Sequence, residues 1–251
     1  MMVASILSQE PSVIENVPLS LEIDITKELC GNIGSKISYT GDHTLRIETE
    51  TVMNSLVPEL SKRNRIPILT LGPLLHRKGF AEVPVPGGCP IGHRPINLHV
   101  DALSKMGVDF ERRENSYYAK VSERIRGAEV DFPYPSVGAT ESVILTAVLA
   151  EGKTKITNAA VEPEILNLTS MLNSMGAKIN FNEGKREFEI DGVQKLNGAR
   201  VKVMPDRMEA VSFASAVLAS GGEVFIRGAE DAHLSSFLEK VKELGAQFSV
   251  E

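Results

Sequence analysis

The chain has 251 residues and a formal net charge of -6, and hydrophobic and charged residues make up 42% and 24% of it. This balance is typical of a globular protein and excludes collagen-like, coiled-coil and mostly disordered chains. A mildly acidic chain without a long Lys/Arg run is a poor candidate for binding nucleic acid or an anionic membrane, so we expect neither partner. No apolar run approaches the roughly 18 residues of a transmembrane helix. Two cysteines cannot form a disulfide framework, which favours a reducing, cytoplasmic location.

The first predicted element is a helix over residues 2–7, and no Ser, Thr, Asp or Asn precedes it as a cap. A second helical run, residues 25–31, contains Cys30, which we expect to pack in the core as a small apolar side chain. This run is followed by Gly34 and then by a short alternating pattern, which predicts a strand.

The glycine after the second helix recurs about every 70 residues, a longer period than that of ankyrin, tetratricopeptide or leucine-rich repeats. Gly34, Gly107, Gly176 and Gly245 each follow a run with helical periodicity and precede a short alternating run. A glycine just after a helix is typical of the left-handed position that ends it. Four repeats are therefore predicted.

A second helix signal recurs in the same phase, and the later copies lead into a turn and a strand, as at residues 151–158 and 221–227. The unit is helix, strand, loop, helix, glycine, strand, turn, strand. It predicts an α/β (α+β) fold of repeated βαβαββ-like units around a pseudosymmetry axis, with the apolar helices inside. The apolar runs are residues 2–7, 66–75, 142–150 and 210–219.

The repeat also sets an expectation for the two ends of the chain. The first unit starts inside its first helix, and the fourth stops at residues 248–251, one strand after Gly245. We therefore expect a chain that is truncated at both ends.

Residues 85–99 contain a loop rich in glycine and proline, and the corresponding link in the third repeat, residues 158–163, is shorter. An insertion at one position of a repeat is typical of a binding face. Cys89 lies at the tip of this loop, near His93 and Arg94, and nearby positive charge favours the nucleophilic thiolate. The alternative, a small hydrophobic residue tucked under the loop, stays open.

Two further groups of residues could bind an anion. Arg65 and Arg94 suit bidentate recognition of phosphate or carboxylate, although solvated surface arginines would look the same. The turn at residues 135–141, with Ser136 and Gly138, opens an apolar helix whose free amides could also hold an anion, although it could be a plain helix cap. The five histidines show no spacing typical of metal ligands.

Along essentially its whole length, the chain resembles the UDP-N-acetylglucosamine enolpyruvyl (1-carboxyvinyl) transferases. The Gly-Gly-Cys loop is highly specific, and the related shikimate-pathway enolpyruvyl transferase, which lacks it, is the weaker match. The motifs are Val-Pro-Gly-Gly-Cys-Pro-Ile-Gly-His-Arg-Pro at residues 85–95, Ser-Val-Gly-Ala-Thr at 136–140, Asn-Ala-Ala-Val-Glu-Pro-Glu-Ile at 158–165 and Pro-Asp-Arg-Met-Glu at 205–209.

The resemblance implies an inverse α/β prism of two domains built from six repeats, with the active site between the domains. It implies transfer of the enolpyruvyl group of phosphoenolpyruvate to the 3-hydroxyl of UDP-N-acetylglucosamine, with release of phosphate, in the first committed step of peptidoglycan precursor synthesis. No metal or organic cofactor is implied. Cys89 would be the general acid, the residue that bonds to phosphoenolpyruvate and the residue that fosfomycin alkylates. Arg65 and Arg94 would hold the phosphate and carboxylate of phosphoenolpyruvate. The uridine diphosphate would be held by Arg94, Pro95, Ile96, Asn97, Leu98, Ser136, Val137 and Gly138.

Several positions depart from the family pattern. Tyr134 stands where the family usually has Lys near the diphosphate, and Asn97 where it usually has Asp near the uracil. The usual Met-Arg-Ala-Ser around the first arginine reads Asn-Arg-Ile-Pro at residues 64–67. The family's Lys-Asn pair would precede Met1, and the aspartate that activates the sugar hydroxyl would lie beyond Glu251.

Residues 1–203 are predicted to form the cysteine-loop domain without its extreme N-terminal segment, and residues 204–251 the incomplete start of a second prism domain. Two hypotheses follow. One is a partial enolpyruvyl transferase, which a second polypeptide could complete. The other is a degenerate, non-catalytic module of the same fold that binds a nucleotide sugar. The retained Cys89 and Arg94 favour the first hypothesis, whereas the lost ends and Tyr134 favour the second.

Overall fold

Left-handed glycines end the second helix of every repeat, as the sequence predicted. The φ angles of Gly34, Gly107, Gly176 and Gly245 are 118°, 91°, 101° and 81°, values that suit a residue without a side chain. The structure is a computed structural model that describes residues 1–56, 64–87 and 95–250. The chain divides into two compact units, Met1–Val203 and Met204–Glu251.

Helices and strands alternate in the first unit in three successive repeats. Its helices are α1 (Met2–Ser5), α2 (Leu21–Ile33), α3 (Leu71–Lys78), α4 (Asn97–Lys105), α5 (Val137–Ala147) and α6 (Pro163–Ser174). Its strands are β1 (Ser12–Glu15), β2 (Lys36–Gly41), β3 (Thr44–Glu48), β4 (Phe80–Pro84), β5 (Val108–Arg112), β6 (Ser116–Val121), β7 (Glu129–Asp131), β8 (Lys153–Thr157), β9 (Lys178–Asn182), β10 (Glu187–Asp191) and β11 (Arg200–Lys202).

The strands form three sheets with the same internal order. In each repeat the first strand pairs antiparallel with the third, and the third pairs antiparallel with the second. The orders are β11-β1-β3-β2, β4-β6-β5 and β7-β8-β10-β9.

Each sheet also takes a parallel neighbour from the repeat before it. β7 lies parallel to β8, and Leu56 forms a parallel bridge to Glu82 on β4. β11, which follows the third repeat, returns to pair in parallel with β1, where Ile14 lies opposite Val201. The chain therefore closes three sheets into a ring, which confirms the predicted pseudosymmetric arrangement.

The apolar helices α1, α3 and α5 lie inside this ring, as predicted. Every residue of α1 is buried, and α5 is buried from Ala139 to Ala147 except at Glu141. Small residues let the inner helices approach each other closely, because Gly72 of α3 lies so near Thr146 of α5 that a side chain would not fit. The core of the first unit is thus built around helices that present almost no polar surface.

The second unit consists of α7 (Arg207–Ser220), a 3-10 helix (Asp231–His233) and α8 (Ser235–Glu243). Asp206 caps α7, since its carboxylate accepts hydrogen bonds from the backbone N–H groups of Met208 and Glu209 at 2.8 and 3.2 Å.

Two strand predictions in this unit are wrong. Residues 221–227 and the segment after Gly245 carry a strand pattern, yet residues 204–250 form no strand. A strand needs a hydrogen-bonding neighbour, and no other strand exists within these residues to supply one. The prediction of an inner helix also fails for α7, which buries only Ala210, because this unit has no sheet to cover it.

Candidate active site

The glycine- and proline-rich loop begins at the end of β4. The hairpin between β5 and β6 holds its first residue, because the Val85 backbone N–H donates to the carbonyl oxygen of Asn115 at 3.0 Å. Cys89 and Arg94 lie outside the described residues, so their roles stay predictions. The described chain resumes at Pro95.

Arg65 directly precedes a 3-10 helix, Ile66–Thr70, that leads into α3. The sequence predicted one continuous helix over residues 66–75, and this was wrong. Pro73 has no N–H to donate to the carbonyl of Leu69, so a regular helix cannot run through this segment without losing a hydrogen bond. Residues 66–70 form the 3-10 helix instead, and α3 begins at Leu71.

Residues 95–98 form the start of α4. Ile96 is its N-cap residue and is buried, whereas Pro95 and Asn97 are exposed and Leu98 is half-buried. The side chain of Asn97 is therefore accessible to a ligand.

The turn that carries Ser136 forms the start of α5, as predicted. The Ser136 hydroxyl oxygen accepts from the backbone N–H of Ala139 at 3.4 Å, and Val137 and Gly138 form the first turn. Tyr134 lies two residues before the cap and is 60% exposed. The amides at this end of α5 carry partial positive charge, which favours a bound anion.

One buried residue, His99, connects the start of α4 with the start of α5. Its Nδ1 is hydrogen-bonded to the Ser142 hydroxyl at 2.8 Å, and its Cε1 would lie 3.3 Å from a Cβ added to Gly138. Burial, and then the nearby Arg65 guanidinium, lower the pKa of His99 to about 4. His99 is therefore neutral near pH 7, and its contacts join α4 to the start of α5.

The motif at residues 158–165 meets the same helix. The Ala160 backbone N–H donates to Thr140 Oγ1 of α5 at 3.1 Å, and the Asn158 side chain donates to the Phe132 carbonyl at 2.8 Å. Two of the four sequence motifs, those at residues 136–140 and 158–165, therefore come together at the start of α5. An arginine and a helix N-terminus near a neutral histidine can bind a phosphate or a carboxylate.

The family model for EPSP synthase (3-phosphoshikimate 1-carboxyvinyltransferase) matches residues 1–251. The chain belongs to this family.

Similar curated proteins within the EPSP synthase family carry another name, UDP-N-acetylglucosamine 1-carboxyvinyltransferase. The one from Prochlorococcus marinus (strain NATL2A) is 40% identical over 253 residues, which cover 99% of this chain and 55% of the relative. The one from Idiomarina loihiensis is 42% identical over 246 residues, which cover 98% of this chain and 58% of the relative. The chain thus spans between half and two thirds of the length of these relatives.

Solved structures of EPSP synthase-like proteins share the fold. The enolpyruvyl transferase NikO from Streptomyces tendae superposes with a TM-score of 0.84 at 18% identity, covering all of this chain and 60% of that one. An EPSP synthase from Acinetobacter baumannii gives a TM-score of 0.67 at 18% identity over 84% of this chain and 49% of that one. The predicted enolpyruvyl transferase-like fold is confirmed.

His99 is the site residue that sequence reasoning missed in this member of the EPSP synthase family. His99 had no predicted role beyond the search for metal-ligand spacing, and among the described residues no three His, Cys, Asp or Glu side chains are arranged to hold a metal ion. The available signal was local. His99 directly follows residues 95–98, which were predicted to bind ligand, and lies on the helix face that Ala102 and Leu103 bury.

Acidification is expected to destabilise the first unit through His99. The pKa of His99 is lowered from 6.5 to about 4. Between these values the unfolded state binds a proton that the folded state does not. The contribution of neutral His99 to the free energy of unfolding is therefore complete above pH 6.5 and is lost as the pH falls toward 4. The full effect is about 3 kcal/mol at 1.36 kcal/mol per pKa unit. Urea unfolding at pH 7 and pH 4.5 checks it, with His99→Gln as the control. An equal pH dependence in the variant would contradict the assignment.

The first unit also contains a cavity outside the candidate site. A cavity of about 350 Å³, with His76 and Leu149 in its lining, lies near the C-terminal ends of α3 and α5, away from the candidate site at their other ends.

In the described part of the chain, no helix combines the length and the hydrophobicity that crossing a membrane requires.

Proposed function

We propose that the chain is the cysteine-loop part of an enzyme that transfers the enolpyruvyl group of phosphoenolpyruvate to the 3-hydroxyl of UDP-N-acetylglucosamine, in peptidoglycan precursor synthesis. One observation carries the proposal. The first turns of α4 and α5 meet at the buried His99, and Arg65 lies just before the segment that leads into α3, in a chain that is 40% identical to a UDP-N-acetylglucosamine 1-carboxyvinyltransferase.

The proposed roles follow the chemistry of each group. Arg65 and Arg94 bind the phosphate and carboxylate of phosphoenolpyruvate, because guanidinium groups match both geometries. Residues 95–98 and 136–138 hold the uridine and diphosphate, the latter at the start of α5. Neither role requires a metal or an organic cofactor.

Cys89 is the proposed general acid. The sugar 3-hydroxyl oxygen bonds to C2 of phosphoenolpyruvate and passes its proton to a carboxylate that the further repeats would supply, while Cys89 delivers a proton to C3. Loss of a proton from C3 then expels inorganic phosphate and restores the double bond. The atoms balance without an added oxidant or reductant.

The partners of the chain would be small molecules and further repeats of the same fold. The second unit exposes Met208, Phe213 and Leu218 on α7, which occupies the repeat position of the buried α1, α3 and α5. We propose that further repeats, from the same or a second polypeptide, cover this face and supply the second side of the active site. Both substrates are anionic metabolites, which agrees with a cytoplasmic location and with no role for nucleic acid or membrane.

A phosphate-release assay tests the activity. The isolated chain is expected to release little or no phosphate from phosphoenolpyruvate and UDP-N-acetylglucosamine, because part of the transition-state contacts is absent. Adding a polypeptide that carries the remaining repeats of a relative should restore release, and Cys89→Ser should abolish it. Arg46→Ala, at an arginine whose pairing with Glu48 is away from the site, is the control and should keep wild-type activity. No phosphate release with the added repeats, and no binding of either substrate, would contradict the proposal.

Selective alkylation tests Cys89 without any turnover. Fosfomycin, in the presence of UDP-N-acetylglucosamine, is expected to add once per chain, at Cys89. Cys30 is the internal control, because it is fully buried and burial raises the pKa of its thiol to about 12, which leaves almost no thiolate at neutral pH. Peptide mass spectrometry locates the adduct. Equal modification of both cysteines, or of neither, would contradict a reactive role for Cys89.

A nucleotide-sugar-binding module is the second candidate. The exposed Tyr134 before α5 favours it, since the resembling enzymes usually have a lysine near the diphosphate there. This candidate predicts binding of UDP-N-acetylglucosamine without phosphate release under every condition of the assay above.

A further inference from the structure

Asn64 is a buried polar residue directly before Arg65, and both ends of its side-chain amide are hydrogen-bonded. Its Oδ1 accepts from the Ile66 backbone N–H at 3.1 Å, and its Nδ2 donates to Glu22 Oε2 on α2 at 2.9 Å. Asn64 is only 9% exposed. Replacing it by an apolar side chain would therefore remove two specific contacts from a buried position.

The first of these hydrogen bonds closes a turn around Arg65. Because the side chain of residue 64 is bound to the amide of residue 66, the torsion angles between them, φ -102° and ψ 0° at Arg65, are constrained. Those angles set the direction of the Arg65 Cα–Cβ bond. They therefore determine the region that its guanidinium can reach.

The second hydrogen bond attaches this turn to a rigid element. α2 spans 13 residues and buries Ile25 and Leu29 in the core, whereas Arg65 itself lies between helices. A side chain is held most exactly where a regular element supports it, and the Glu22 carboxylate provides that support from outside the segment.

We propose that Asn64 and Glu22 are positioning residues for Arg65, and that they fix the turn from which its guanidinium reaches the anionic donor substrate. The identity of the ligand rests on the proposed function, but the placement of Arg65 does not. Neither positioning residue needs to touch the substrate.

Three variants test the proposal in the full chain. Asn64→Leu keeps the branched shape in a somewhat larger side chain and removes both hydrogen bonds, Glu22→Ala removes the second, and Glu22→Gln keeps an acceptor for the Asn64 amide. The NMR signal of the His99 ring Cε1–H reports the position of the Arg65 charge without any ligand. The ring signal of His76, which is hydrogen-bonded to the Thr146 carbonyl far along α5, is the reference.

Asn64→Leu is expected to shift the His99 signal, to leave the His76 signal in place, and to weaken phosphoenolpyruvate binding about tenfold, the effect of one charge-assisted hydrogen bond. Calorimetry in the presence of UDP-N-acetylglucosamine measures the binding. Glu22→Ala should act in the same direction, and Glu22→Gln should restore wild-type behaviour in both measurements.

Other outcomes separate the possibilities. A lower unfolding midpoint with an unchanged His99 signal would overturn the positioning role and leave Asn64 as a residue that only stabilises its turn. If the wild-type chain binds no phosphoenolpyruvate, the proposed function fails while the His99 signal still decides the placement of Arg65. If Asn64→Leu does not fold, the comparison of Glu22→Ala with Glu22→Gln decides, because Glu22 lies on the exposed face of α2.

Discussion

Replacing Arg77 by methionine is expected to lower the free energy of unfolding by about 4 kcal/mol. Arg77, in the last turn of α3, donates to four backbone carbonyl oxygens. Nη1 reaches those of Ile6 and Ser8 at 2.9 and 3.2 Å, and Nη2 those of Thr49 and Glu50 at 3.0 and 2.9 Å. One guanidinium therefore joins the end of α1, the chain after β3 and α3.

The size of this effect follows from burial. Ile6, Ser8 and Thr49 are buried, so their carbonyl oxygens would lose a charged donor in a region that water enters poorly. Burial also lowers the pKa of Arg77, a cost that the four acceptors offset. Methionine keeps an unbranched apolar side chain but donates nothing.

Urea unfolding measures the loss, and Arg46→Met is the matched control. Arg46 forms an ion pair with Glu48 at 2.8 Å on β3 and is partly exposed, so its loss should cost no more than about 1 kcal/mol. The loss in free energy of unfolding for Arg77→Lys should lie between those for Arg77→Met and Arg46→Met, because one ammonium cannot reach both pairs of carbonyls. Equal losses for Arg77→Met and Arg46→Met would contradict this account.

Replacing Gly198 by alanine is expected to destabilise the first unit by more than about 4 kcal/mol. Gly198 lies just before β11, where the chain returns to the first sheet, and a Cβ there would overlap the carbonyl oxygen of Pro11. The Pro11 carbonyl oxygen belongs to the backbone and the added Cβ is bonded directly to the backbone. No flexible side chain can therefore move aside. The overlap would force β11 away from β1 and open the ring of sheets.

Gly127 occupies the same repeat position as Gly198, and Gly31 serves as a control for which the opposite result is expected. Gly127 precedes β7 as Gly198 precedes β11, and its Cβ would overlap the Lys153 carbonyl, so Gly127→Ala should act in the same way. Gly31 lies inside α2 with nothing within 4 Å of an added Cβ. Gly31→Ala should therefore stabilise the chain by about 0.5–1 kcal/mol. Thermal unfolding of the three variants tests this, and destabilisation of all three by similar amounts would contradict the close-approach argument.

Much of the fold could be predicted because its signals are local. The glycines at positions 34, 107, 176 and 245 end helices through their own conformational freedom, which needs no partner. The hydrophobic periodicity likewise marked the inner helices of the first unit. The strand pattern at residues 221–227 failed because a strand, unlike a glycine turn, exists only when another strand pairs with it.

The same distinction between local and distant signals applies to the residues of the candidate site. Arg65 and Ser136 could be selected from the sequence, since arginine and a capped helix start suit anions wherever they lie. The contacts of His99 could not be predicted, even though its position after residues 95–98 is a local signal, because they depend on Ser142 and Gly138 of the next repeat packing against α4.

The sequence by itself therefore determined the repeat, the ends of its helices and the family resemblance, all of which are written in neighbouring residues. Only the tertiary structure decided that β11 closes the ring on β1, that His99 joins α4 to α5, and that Asn64 is hydrogen-bonded to Glu22. Each of these depends on residues far apart along the chain whose contact is set by packing, and no local pattern encodes which distant partner a buried polar group will find.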